Sequence, residues 1–201
     1  EPENGYPLKV RKPDPSDNMV RISGDAAAWS RGLSSVFVEL DVEQLDPQQQ
    51  LDARMYRYPF GDLLFIRAVT RGGAHRVMRT EQLIQQSSEN IFFIGFLLAG
   101  NATLLQDDHQ AELHPGDIAI LDSSRAYTIE VPRSFDALWV RVPRYRLEGR
   151  LQSLSDIMAQ RIDGSSGIGH VASSMMRAAL DEAPNMHKSE ANRIANHLLD
   201  L

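Results

Sequence analysis

Between Gly61 and Pro143 the sequence consists of short apolar runs that are separated at close intervals by turn-forming residues. The segment Leu113-His114-Pro115-Gly116-Asp117 lies at the centre of this region and leads into an apolar run at residues 118–121. Proline presets φ and glycine tolerates positive φ, so a Pro-Gly step followed by Asp predicts a tight turn that feeds a strand. Repetition of this pattern predicts a small all-β barrel or sandwich, whose interior can hold a small molecule.

The alternation of apolar runs and turn residues predicts eight strands. They are bounded by turn residues such as Gly72-Gly73, Gly100-Asn101 and Asp122-Ser123-Ser124. The predicted strands are residues 35–40, 63–69, 76–79, 91–98, 103–106, 118–121, 127–131 and 137–142. Before them, residues 26–33 are predicted to form one or two helical turns around Trp29.

After Pro143 the apolar period changes from that of a strand to that of a helix. One amphipathic helix is predicted over residues 166–183 and a second over residues 189–201. Two such helices on one small barrel have more apolar surface than the barrel can cover, so we expect a homodimer. The predicted dimerisation residues are Met175, Ala179, Ile194, Leu198 and Leu201.

The chain of 201 residues is long enough for one sizeable core with an appendage. Residues 1–25 contain Pro2, Pro7, Pro13 and Pro15 among polar residues and show no period, so they are predicted to be a flexible N-terminal arm. We therefore divide the chain into that arm, a β-barrel over residues 26–143 and a helical dimerisation or linker segment over residues 144–201.

Composition excludes several classes of function. No apolar run approaches the length of a membrane span, and the absence of cysteine excludes disulfides, thiolate metal sites and a cysteine nucleophile. The absence of cysteine also fits a reducing, cytoplasmic compartment. A formal net charge of −6 argues against binding of duplex DNA by this segment alone.

The sequence contains no catalytic signature. It lacks a Gly-x-Ser-x-Gly elbow, and Ser123-Ser124 is predicted to lie in a turn. His109, Glu112 and His114 are predicted to share one face of a strand, but the His-x-His pair that is typical of metal-binding cupin barrels is missing. We therefore predict no catalytic residue, no metal and no cofactor.

Binding is the alternative to catalysis. Five aromatic residues on predicted strands can provide flat apolar walls for a ligand, and they are Phe65, Phe92, Phe96, Tyr127 and Trp139. Arg67 and Arg79 alternate with apolar neighbours, and an arginine that faces inward would favour a ligand carboxylate. Gly95, in an otherwise bulky strand, either leaves space for the ligand or marks a bulge.

The order of these motifs resembles the N-terminal regulatory domain of AraC/XylS-type transcriptional regulators of bacteria, from about Trp29 onward. The segments that carry the resemblance are Gly61-Asp62-Leu63-Leu64-Phe65-Ile66, Val77-Met78-Arg79-Thr80, residues 94–100, Leu113-His114-Pro115-Gly116-Asp117, residues 121–127 and Val142-Pro143-Arg144, with Gly167-Ile168-Gly169 and residues 193–201 in the helical part.

The resemblance implies a mainly β, α+β fold: a cupin-like β-barrel of jelly-roll type followed by C-terminal amphipathic helices. It also implies a small organic effector, a homodimer, a cytoplasmic location, and DNA binding only through a helix-turn-helix domain that we expect to be absent from this chain. Two alternatives remain open, a cupin-type metalloenzyme (an isomerase or a dioxygenase) and a dimerisation scaffold without ligand. The sequence does not name the effector.

Overall fold

A computed structural model describes residues 19–87, 89–149 and 155–201. Its strands, numbered β1 to β11 in chain order, are Met19–Gly24, Asp41–Gln44, Leu51–Phe60, Leu63–Arg71, His75–Arg79, Ile91–Gly100, Ala102–Gln106, His109–Leu113, Ile118–Asp122, Tyr127–Val131 and Phe135–Pro143. Its α-helices, α1 to α4, are Ala26–Ser34, Glu81–Gln85, Gly167–Glu182 and Lys188–Asp200.

The strands form two antiparallel sheets that face each other. The six-stranded sheet has the order β1-β3-β4-β11-β6-β9, and the five-stranded sheet has the order β2-β5-β10-β7-β8. In the described part of the chain the two sheets share no strand pair, so the jelly roll is an open sandwich and not the closed barrel that we predicted. The mainly β fold class and the C-terminal helices are confirmed.

Two apolar layers hold the fold together. The first lies between the sheets and includes Ile66, Leu104 and Leu121, which are almost fully buried. The second lies on the other face of the six-stranded sheet, where α3 and α4 cover Phe65 and Leu138. At β6 and β11 the six-stranded sheet is thus apolar on both faces for most of its length, which explains the nearly continuous apolar residues of these two strands.

Helix α1 closes one end of the space between the sheets. Asp25 caps its N-terminus by accepting a hydrogen bond from the Ala28 backbone N–H, and Trp29 and Leu33 point into the core. The hydroxyls of Ser30 and Ser34 accept hydrogen bonds from the backbone N–H groups of Val42 and Leu40. These bonds fix the helix to the chain that leads into β2.

Two turns of the sheets contact the helical layer, one just before α3 and one at α4. Asp117, in the β8–β9 turn, accepts hydrogen bonds from the Gly164 backbone N–H and from the Arg161 guanidinium, just before α3. At the β3–β4 turn, Gly61 has a φ of 66° and lies so close to Asn192 of α4 that a Cβ atom would clash. Both turns therefore determine where the helical layer lies.

Three features of the first 60 residues differ from the predictions. Residues 35–40 are not a strand, although Val36, Val38 and Leu40 are buried on one side, because their backbone groups bond to Leu33 and Ser34 instead of a neighbouring strand. Met19–Gly24, within the predicted arm, pairs with β3 as an edge strand. The strands β2 and β3 were not predicted. Residues 1–18 lie outside the described residues, and the arm stays a prediction for them.

Candidate functional site

A cavity of about 40 Å³ lies between the two sheets, beneath α1 and the chain that follows it. Its walls come from both sheets and from α1, so it is at the centre of the sandwich. The lining is almost entirely apolar and consists of Trp29, Leu33, Phe37, Leu40, Ala53, Met55, Ala68, Thr70, His75, Val77, Phe93, Leu121, Tyr127, Ile129, Val131, Phe135 and Trp139.

Two polar atoms of this lining have no hydrogen-bond partner among the described residues. They are Nε1 of Trp29 and Nε2 of His75, and both residues are at most 1% exposed. The two rings contact each other, with 5.4 Å between their centroids. Because buried polar atoms in proteins are nearly always paired, these two atoms mark the polar part of the cavity.

The imidazole of His75 is neutral at neutral pH. Burial lowers its pKa below the ordinary value of 6.5, and this outweighs the opposite effect of the contact with Gly73. In that contact, Nδ1 lies 3.1 Å from the Gly73 carbonyl oxygen. A carbonyl only accepts hydrogen bonds, so Nδ1 carries the hydrogen and Nε2 presents its lone pair.

Arg79 is the predicted arginine that faces inward, and it is 1% exposed. Its Nη1 donates to the backbone oxygen and the carboxylate of Glu39, at 2.8 and 3.2 Å, and its Nε donates to the backbone oxygen of Ser123. Nη2 has no partner among the described residues, but Arg79 is not part of the cavity lining. Its contacts therefore fix residues 35–40 over the end of the sandwich.

Arg67 faces outward, against one of the two predicted alternatives. It lies on the outer face of the six-stranded sheet and forms two hydrogen bonds with the carboxylate of Asp136, at 2.9 and 2.6 Å. Arg67 thus has a partner on the protein and does not reach the space between the sheets.

The five predicted aromatic residues lie on two different faces. Tyr127 and Trp139 line the cavity, and burial raises the pKa of the Tyr127 hydroxyl. The prediction is wrong for Phe65, Phe92 and Phe96, which lie on the opposite face of the six-stranded sheet beneath the helical layer. Both faces of the sheet are buried around these phenylalanines, so burial alone could not reveal which face each one occupies.

Gly95 does not leave space for a ligand. A Cβ atom at this position would lie 2.6 to 3.0 Å from three atoms of the Trp139 ring. The space that a side chain at position 95 would occupy is therefore filled by the indole of Trp139, which packs over the glycine from the neighbouring strand. The sequence analysis missed Trp29 and His75 as cavity residues, although the alternation of His75, Val77 and Arg79 on one strand could have indicated His75.

Residues 29–201 match the AraC-binding-like domain. The chain belongs to this family. The AraC-binding-like domain is 27% identical over 175 residues to the transcriptional activator NphR of Rhodococcus sp.. The alignment covers 86% of this chain and 52% of NphR. It is 26% identical over 174 residues to a protein of Bacillus sp. (strain OxB-1) named for the nit 5' region. That alignment covers 86% of this chain and 66% of the Bacillus protein. The chain thus spans between half and two thirds of the length of these relatives.

The fold of the AraC-binding-like domain is also found in a crystal structure. The AraC-like transcriptional activator CuxR superposes with a TM-score of 0.73 at 17% sequence identity, over 90% of this chain and 68% of that chain. This likeness agrees with the two sheets and the helical layer described above.

The metal-ligand candidates of this AraC-binding-like domain do not converge. His109 is an odd number of positions from Glu112 and from His114, so it lies on the opposite face of the strand, and the predicted shared face is wrong. Its Nδ1 contacts the Met158 backbone oxygen at 2.9 Å. In the described part of the chain, no three histidine, aspartate or glutamate side chains are arranged to hold a metal ion.

The predicted dimerisation residues differ in exposure. Ala179 is buried against the six-stranded sheet and cannot contact a second copy, because the sheet occupies that side of α3. Met175, Ile194 and Leu198 are half-buried, and Leu201 is 47% exposed. Two further apolar residues of α3 that we did not predict as dimerisation residues are more exposed, Ile168 at 59% and Val171 at 52%. No helix among the described residues is long and apolar enough to cross a membrane.

Proposed function

We propose that this AraC-binding-like domain is the effector-sensing and dimerisation part of an AraC-like transcriptional regulator and controls a separate DNA-binding module. Membership of the family supports the proposal, as does the similarity to NphR and CuxR, which are transcriptional activators. In this proposal the domain binds a small organic molecule and is not an enzyme.

One observation carries the assignment of the effector site, namely the cavity between the sheets with two unpartnered polar atoms in an apolar wall. Apolar walls supply affinity, and a few polar groups supply orientation, which is the usual construction of a small-molecule site. The walls come from α1 and from both sheets, so a ligand would contact these three parts of the sandwich at once.

The size of the cavity implies that binding is coupled to a conformational change. A volume of about 40 Å³ holds water or the head group of a ligand, whereas a cavity of about 150 Å³ is needed for benzene. A larger effector would have to displace Trp29 and α1 or turn the indole of Trp139. A ligand that binds only the displaced state shifts the population toward it, which is the requirement for a sensor.

A ligand screen tests the effector site. We expect some members of a panel of small neutral and anionic organic compounds to raise the thermal midpoint of the domain. The variant Ala68→Leu, which projects a larger side chain into the cavity, should abolish that increase, and Ala178→Leu on the exposed side of α3 should retain it. A panel without any stabilising compound would favour the scaffold without ligand.

The dimerisation part of the proposal is supported by the exposed apolar residues of the helical layer. Ile168, Val171 and Leu201 project from α3 and from the end of α4, and burial across a two-fold axis would remove them from water. We expect a dimer in sedimentation equilibrium at micromolar concentration and a monomer for Val171→Asp. Ser174→Asp, an exposed neighbour on α3, is the matched control. A monomeric wild type at high concentration would contradict the proposal.

A further inference from the structure

The two unpartnered atoms of the cavity have opposite hydrogen-bonding roles. Nε1 of Trp29 carries a hydrogen and can only donate. Nε2 of His75 can only accept, because Nδ1 of the same ring carries the hydrogen that points to the Gly73 carbonyl. Both residues line the same cavity, and their ring centroids are 5.4 Å apart, so a donor-bearing ring and an acceptor-bearing ring are neighbours in its wall.

We propose that this cavity binds the head group of a neutral hydroxyl compound, an alcohol or a phenol, whose oxygen accepts a hydrogen bond from Trp29 and donates one to His75. This inference rests on the proposed function, since it names the ligand class for the same site. A hydroxyl group is the smallest organic group that provides a donor and an acceptor on one atom, and it matches the small volume of the cavity.

The arrangement disfavours a carboxylate, which the sequence analysis considered. A carboxylate has no hydrogen for the lone pair of His75 Nε2, and its oxygens would meet that lone pair in an apolar environment. Arg79, the predicted arginine that faces inward, already contacts the carboxylate of Glu39 and is not in the lining. The apolar remainder of the wall fits a hydrocarbon body.

Two matched ligand series test the head group separately from the body. The first comprises butan-1-ol, 1-chlorobutane and butanoate, and the second comprises phenol, toluene and benzoate. We expect the hydroxyl compound of at least one series to bind about tenfold more tightly than its apolar and anionic counterparts, because each of its two hydrogen bonds replaces an unpaired atom.

Nuclear magnetic resonance reports the contact directly. The sequence has two tryptophans, Trp29 and Trp139, so two indole N–H signals are expected, and the variant Trp139→Phe assigns them. Titration with the preferred hydroxyl compound should move the Trp29 signal downfield. In Trp29→Phe and His75→Leu the preference for the hydroxyl compound should fall to about threefold or less, while the apolar compound still binds. Because the wild-type titration needs neither variant, it decides the question even if one of them fails to fold.

The outcomes separate this inference from the proposed function. Equal affinity across a series, or tightest binding of a carboxylate, would overturn the hydroxyl assignment and leave the cavity as the effector site. A crystal structure with a water bound to both atoms that no compound displaces would also overturn it. If no compound changes either indole signal or the thermal midpoint, the effector site itself is wrong.

Discussion

The contact between Gly95 and Trp139 predicts that Gly95→Ala destabilises the wild-type domain but stabilises a variant without the Trp139 ring. In the wild type, Gly95→Ala places a methyl group 2.6 to 3.0 Å from the Trp139 ring, which is closer than nonbonded atoms approach. The nearest atoms belong to a side chain and not to the backbone, and the ring borders a cavity of about 40 Å³. The indole therefore has to move toward the cavity, and the fold is retained.

Two opposing contributions set the size of the effect. Overpacking of a filled core costs about 1–3 kcal/mol. Replacement of a strand glycine by alanine returns about 0.5–1 kcal/mol, because glycine loses more conformational freedom on folding. We expect Gly95→Ala to destabilise the wild type by about 1–2 kcal/mol. In a Trp139→Leu background the clash is absent, so the same substitution should stabilise the domain by about 0.5–1 kcal/mol.

Urea denaturation of the four proteins of this double-mutant cycle measures both values. The remaining tryptophan, Trp29, is buried and reports unfolding by fluorescence in the Trp139→Leu pair. A coupling free energy of about 1.5–3 kcal/mol is expected between the two positions. If Gly95→Ala has the same effect in both backgrounds, the two residues do not share space, and the account of this strand pair is wrong.

Three further results are expected from the buried titratable groups. Stability should decrease as the pH falls below 6.5, because the unfolded chain then binds a proton that buried His75 does not, and His75→Leu should remove this part of the pH dependence. Burial alone would raise the pKa of Asp117 and Asp122, but hydrogen bonds from arginines and backbone groups lower it below the ordinary value of 3.8. A second loss of stability should therefore begin as the pH falls below 3.8, where the unfolded chain binds these protons first. Asp122→Asn should cost about 3 kcal/mol by leaving Arg144 without its buried partner, against less than about 1 kcal/mol for exposed Asp107→Asn, as measured by urea denaturation.

The turn residues and the change of apolar period were sufficient to predict most of the elements. Pro115-Gly116 is a turn in which Gly116 has a φ of 100°, and the strand β9 follows it as predicted. The two C-terminal helices begin and end within one or two residues of the predicted bounds. These features depend on local backbone preferences, which are encoded in the nearby sequence.

The face on which a buried residue lies could not be predicted in the same way. Phe92, Phe93 and Phe96 are all almost fully buried, but only Phe93 borders the cavity, and the other two lie beneath the helices. The unpaired Nε2 atom of His75 could not be predicted either. The His75 ring packs against Trp29 of α1, which lies 46 positions earlier in the sequence. Long-range packing, and not local propensity, determines both.

The six-stranded sheet connects the cavity to the helical layer through alternate residues of one strand. In β11, Trp139 borders the cavity, whereas Leu138 and Val140 on either side of it pack beneath α3 and α4. A ligand that displaces the indole must therefore shift backbone that also supports the helices. We expect an effector bound in the cavity to change amide hydrogen exchange in β11 and α3 more than in the edge strand β8, and Gly95→Ala should alter the same amides without ligand. Changes confined to α1 and the cavity wall would show that the sheet does not transmit the displacement.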